Sequence, residues 1–156
     1  MLGRPWEKVI AFGMVGGLAG TVLMDLVMVT TFVLVGEPGD AFFAMVGEKL
    51  GDGVILGIVL HNAIGLSGGL VFALLVLGIA PINIDSRKKG LTYGIAAGAL
   101  TIPLGCIPMA IWLGAPILEV LAFSLLPHLV WGLTLGWTVA FGLLAFGEEV
   151  VPARIS

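Results

Sequence analysis

A chain of 156 residues that is 59% hydrophobic and 11% charged, with a mean hydropathy of +1.16, lies far below the roughly 25% charged residues of a soluble domain. Water is not its main solvent. The formal charge of −3 is scattered and forms no basic stripe, so the composition excludes a nucleic-acid partner and names the lipid bilayer instead.

Four apolar runs, about 9–35, 54–80, 91–113 and 117–147, each exceed the roughly 18 residues needed to cross a bilayer core. The expected fold is an all-α membrane protein of four transmembrane helices in one integral membrane domain spanning 1–156. The first run follows Arg4 and Lys8 as a signal peptide would, but it continues to Val35. That is too long for a cleaved apolar segment, so it reads as a retained helix.

Between the first two runs, Asp40–Leu50 (DAFFAMVGEKL) puts Phe42, Phe43, Met45, Val46 and Leu50 on roughly one helical side. A short amphipathic helix at the outer interface is expected, capping the bundle or gripping a partner subunit. Arg87, Lys88 and Lys89 then fill the link to the third run, whereas the opposite face carries Glu37, Asp40, Glu48, Asp52 and Glu119 against Lys49 alone. Basic loops stay cytoplasmic. With Arg4, Lys8 and Arg154 on that same side, the expectation is a multi-pass protein of the cell (inner) membrane with both termini in the cytoplasm.

Many of the 24 glycines sit at four-residue spacing within the runs: Gly13 and Gly17, Gly16 and Gly20, Gly65 and Gly69, Gly90, Gly94 and Gly98, and Gly132 and Gly136. Small residues so spaced let helix backbones approach closely in lipid. A tight bundle or oligomer follows, so the expected partners are other membrane subunits or a second copy. Laying the second run on the fourth puts Asp52 on Glu119, His61 on His128, Gly65 on Gly132, Gly69 on Gly136 and Ala73 on Ala140. The first and third runs correspond through Gly16 and Gly20 with Gly94 and Gly98. These matches read as a duplicated helical hairpin, about 9–80 and 91–147, whose two parallel repeats share an axis along the membrane normal.

Ionisable groups within a span are costly and mark candidate sites. Asp25, His61 and His128 fall in one layer of the outer half, and the third run adds Cys106 and Met109 between Pro103 and Pro108. Asn62, Ser124 and Thr134 offer further hydrogen bonds. Three chemistries fit this layer. One is a transition-metal site, with Cys or Met shifting preference toward reduced copper. Another is a bis-His haem b site, although the outer side has few cations for propionates. The third is a proton path through Asp25 and the imidazoles. Modest hydrogen-bonded packing of each polar group is the alternative to all three. Depth also stays open, because Pro127 favours a first helical turn, so helix four begins either near Ile117 or near Pro127.

Trp6, Trp112 and Trp131 are expected at interfaces, with Trp137 deeper. No Ser-His-Asp arrangement, phosphate-binding loop or dinucleotide fingerprint is visible, so no catalytic motif supports an enzyme. The run Pro127-His-Leu-Val-Trp-Gly132 with Gly136, echoed from His61, resembles the H-L-V-[YW]-G helix of the small YagU-like inner-membrane proteins. That resemblance implies four spans and no established reaction; the outer loop is shorter here than in those proteins. The functional expectation is a small polytopic protein acting through assembly, with a metal or proton site in its outer half, or else a small ion or metabolite transporter.

The topology is testable directly. A cysteine placed at Lys89 should react with an impermeant reagent only after the cells are opened, and one placed at Lys49 should react in intact cells. Labelling of position 89 from outside would reverse the orientation.

Overall fold

A computed structural model describes residues 5–79, 82 and 84–146. Arg4 and Arg154, and the last residues of the second and fourth apolar runs at 80 and 147, lie outside the described residues. Within them the chain is helical, without strands. It comprises α1 (Pro5–Leu34), α2 (Ala41–Lys49), α3 (Val54–Gly78), α4 (Arg87–Thr101), a π-helical segment (Ile102–Cys106), α5 (Ile107–Leu113) and α6 (Ile117–Phe146). Four stretches are long and apolar enough to cross a membrane: Trp6–Leu34, Val54–Gly78, Arg87–Leu113 and Ile117–Ala145.

Local chemistry sets the boundaries. Gly36 (φ 86°) and Gly51 (φ 82°) bracket α2, and Gly114 (φ 74°) ends α5, all in the left-handed region that glycine enters without steric cost. Ser86 caps α4 by accepting from the Lys89 amide at 3.4 Å. Beside it, Lys89 Nζ donates to Asp85 at 2.5 Å, and that bond holds the Asp85 carboxyl below its ordinary range. In the third span, Pro103 and Pro108 lack the amide a regular α-helix needs, and a π-helical turn takes up the mismatch. α6 runs unbroken through Pro127, so helix four begins at Ile117 and His128 lies well inside the span.

The helices pack in the order α3, α1, α6, α4, while α2 lies against α3 at one end. α3 and α4 scarcely touch. An added Cβ on Gly17 would come within 2.8 Å of the Gly69 Cα, and one on Gly94 within 2.8 Å of the Gly136 Cα. Gly13 meets Gly69 and Ala73 much as Gly90 meets Gly136 and Ala140. The register therefore differs from the expected one. Gly13 and Gly17 face the partner helix of the first hairpin as Gly90 and Gly94 do in the second, whereas Gly16 and Gly20 turn to α6, against Thr138 and Trp131. One residue along a helix is about 100° of rotation, enough to exchange one neighbour for another.

The tryptophans also depart from expectation. Trp131 is 5% exposed, and its Nε1 donates to the Gly17 carbonyl at 3.1 Å. Trp137 is instead half exposed, with Arg87 Cζ 5.2 Å from its ring centroid, at the basic end. An indole N–H away from water needs an acceptor, and the close approach of α1 through glycine supplies one. Phe43 and Val46 of α2 are buried as the amphipathic pattern predicts, but Met45 and, just past the helix, Leu50 are exposed.

These contacts predict that Gly94→Leu and Gly132→Leu each lose about 1–3 kcal/mol of stability by overpacking. Gly78→Leu should cost little, because nothing lies within 4 Å of a Cβ there. Unfolding in a denaturing detergent titration measures the difference, and equal stability of all three variants would refute the packing.

Candidate functional site

Because α3 and the α4–α5 arm diverge, a chamber of about 880 Å³ remains between them at the α2 end. Its walls are mostly apolar, with Met24, Met28 and Phe32 from α1, Phe42 and Met45 from α2, and Phe123 from α6. The volume lies in the range of small-molecule sites, where apolar walls carry a few placed polar groups. Here the polar side chains are His61, Cys106, Ser124 and His128, with Thr21, Thr101, Glu37 and Glu119 also lining it. No Lys or Arg lines the chamber among the described residues.

His61 is fixed by two helices. Its Nδ1 lies 2.6 Å from Asp25 Oδ1 on α1, the two side chains being 12% and 16% exposed respectively. Asn62 Nδ2 donates to the other carboxylate oxygen at 3.0 Å, and also to the Ile58 carbonyl. A carboxylate away from water is costly alone; sharing a proton with an imidazole and accepting from an amide offsets that cost. The rings of Phe42 and Phe43 stand edge-on to the imidazole at 5.4 and 5.8 Å, so α2 closes over this pair. Its close seat on α3, where Phe43 meets Gly57 and Gly47 meets Gly53, sets that position.

His128 is fixed differently. Its Nδ1 donates to the Ser124 carbonyl at 2.8 Å, and because a carbonyl only accepts, Nδ1 carries the proton of the neutral ring. Nε2 then presents its lone pair, and the Cys106 thiol lies 3.5 Å from it. Cys106 is 7% exposed and ends the π-helical segment, a kind of irregularity that recurs at functional sites.

Of the five residues singled out in the sequence, His61, Cys106, Met109 and His128 line one chamber, and Asp25 stands behind His61. Asp25 and His61 form one pair and Cys106 and His128 another, while Met109 lines the wall. Among the described residues, no group of three or more His, Cys, Asp or Glu side chains could hold a metal ion. Each histidine is partnered from the preceding span of its own hairpin: a carboxylate in the first and a thiol in the second. Sequence reasoning gave Asn62 and Ser124 only as general hydrogen-bonding groups and did not foresee the edge-on phenylalanines. Asn62 was findable as the neighbour of an intramembrane histidine. The Ser124 carbonyl, four residues before His128, was findable only once α6 was known to continue through Pro127.

No curated protein and no solved structure matches the chain. A family model does match, over residues 7–144, which takes in nearly all of the four spans and both histidine pairs. The chain belongs to DUF6789, a family of unknown function.

Proposed function

We propose that this chain is a small carrier in the cell membrane that takes up a lipophilic molecule in the chamber and exchanges a proton with it, or with water, at the Asp25–His61 pair. The observation that carries this reading is that a largely apolar chamber has an orientationally fixed, proton-sharing imidazole in its wall. Apolar walls favour an apolar body, and His61 gives it a polar end to bind. An imidazole ring can both give and take a proton, which suits it to proton exchange. With the basic Arg87–Lys89 link read as cytoplasmic, the chamber lies in the outer half and both termini lie inside. The matching glycine contacts of the two hairpins support a duplicated unit whose halves have diverged in their histidine partners.

A second reading, action as a subunit of a larger assembly or as a homo-oligomer, is favoured by the unpacked flank between α3 and α4. Leu104 is 74% exposed and Ile64 is 49% exposed there, and a neighbouring polypeptide would complete the wall. Native mass that stays monomeric in several mild detergents would remove this reading and leave the carrier.

The carrier reading is tested by filling the chamber. Gly105 lines it and has nothing within 4 Å of an added Cβ, so Gly105→Phe should fold normally. Native mass spectrometry of wild-type protein released from membranes should show a retained lipophilic molecule. Its occupancy should fall at least about tenfold in Gly105→Phe, a difference of about 1.4 kcal/mol, with the unfolding midpoint unchanged. Equal occupancy in both proteins, or none in wild type, would overturn the reading.

A further inference from the structure

The Cys106–His128 pair is not used by the proton-exchanging reading, and its geometry has a chemistry of its own. Metal–sulfur and metal–imidazole bonds of about 2.3 and 2.05 Å would span the observed 3.5 Å at an angle of about 107°, close to tetrahedral. A linear two-ligand site would need the atoms about 4.3 Å apart, so the observed separation leaves room for further ligands. Met109, one turn beyond Cys106, lines the same chamber and offers a thioether.

The surroundings of His128 match the same purpose. Histidines that bind metals ordinarily donate their other ring N–H to a carbonyl or carboxylate, which fixes the tautomer and the ring orientation. The Nδ1–Ser124 carbonyl bond of 2.8 Å does this. The lone pair of Nε2 is therefore left free beside the Cys106 sulfur, 3.5 Å away.

We propose that Cys106 and His128 form a site for a soft monovalent cation of the reduced-copper class, with Met109 as the third ligand. On binding, the ion takes the place of the thiol proton: the S–H bond breaks, a sulfur–metal bond forms, Nε2 donates its lone pair to the metal, and the proton leaves to water. No electron is transferred. One positive charge replaces another, so the site keeps its net charge in a largely apolar wall. A divalent ion would add an uncompensated charge there, which is expensive away from water. Sulfur and imidazole ligands also suit a soft ion better than the hard cations that prefer oxygen.

The probe is silver(I), which shares the charge and softness of reduced copper and does not change oxidation state, added to the purified full chain against a competing chelator. Wild type should bind one ion per chain. Cys106→Ser and His128→Gln should each weaken binding at least about a hundredfold, and Met109→Leu about tenfold, in line with the loss of one ligand or supporting contact. Sulfur X-ray absorption should show a silver–thiolate bond in wild type that is absent from Cys106→Ser, where only the Met109 thioether remains. Gly78→Leu, at the far end of α3 with nothing within 4 Å of an added Cβ, should bind silver like wild type and serves as the folded control, and no lipophilic molecule is added, so the result is independent of the carrier reading. Stoichiometry well below one, affinity unchanged in both Cys106→Ser and His128→Gln, or zinc(II) binding as tightly as silver(I) would each overturn the proposal.

Discussion

Backbone against backbone is the contact on which the rest of this structure depends. In lipid, apolar side chains gain little by meeting one another, so helices associate where their backbones can approach. Here Gly13 and Gly17 meet Gly69, and Gly90 and Gly94 meet Gly136. Each hairpin is thereby pulled together along one narrow seam. Gly16 and Gly20 then join the two hairpins through α6, and Trp131 is locked at the junction by its bond to the Gly17 carbonyl. The glycines thus place carbonyls as well as helices.

Two seams and one junction use three of the four sides that a square bundle would have. The fourth side, between α3 and the α4–α5 arm, is left without a seam, and the chamber forms there. Its polar residues follow from the same geometry. α1 and α3 approach closely through Gly17 and Gly65 and bring together Asp25, about two turns along α1, and His61, about one turn along α3. α4 and α6 approach through Gly98 and the His128 carbonyl, and the π-helical turn that follows carries Cys106 to the His128 ring. The seams are alike, but the partners they deliver are chemically different: a hard oxygen in the first hairpin and a soft sulfur in the second. That difference separates an imidazole–carboxylate pair from an imidazole–thiol pair.

The spans were legible in the sequence because crossing a bilayer imposes a length and a composition that no other solvent demands. α2 was legible because a short helix that packs by one side must show an apolar face there. The glycine seams were legible as packing faces, but the partner of each was not. Gly16 and Gly17 differ by one step along the chain yet face different helices, and periodicity alone does not fix rotation about the axis. Counting along the spans put Asp25, His61 and His128 at one depth, and the first two do meet. Their division into pairs was hidden, because it depends on which helices are adjacent in space rather than on how deep each residue sits. Trp131 and Trp137 show the same limit: both were assigned by distance from the ends of a run, and the neighbour that each finds decided otherwise.

The Asp25–His61 pair joins seam, chamber and chemistry, so its existence in a bilayer is the central claim. The chain has only two histidines, and the ring of His128 bonds a backbone carbonyl rather than a carboxylate. Solid-state NMR on protein with nitrogen-15 histidine and carbon-13 aspartate carboxyl groups, in lipid, therefore reports on this pair alone. A strong dipolar coupling from one histidine Nδ1 to one aspartate carboxyl, absent from Asp25→Asn, is the predicted result. A spectrum in which neither histidine couples to any aspartate carboxyl would contradict the account.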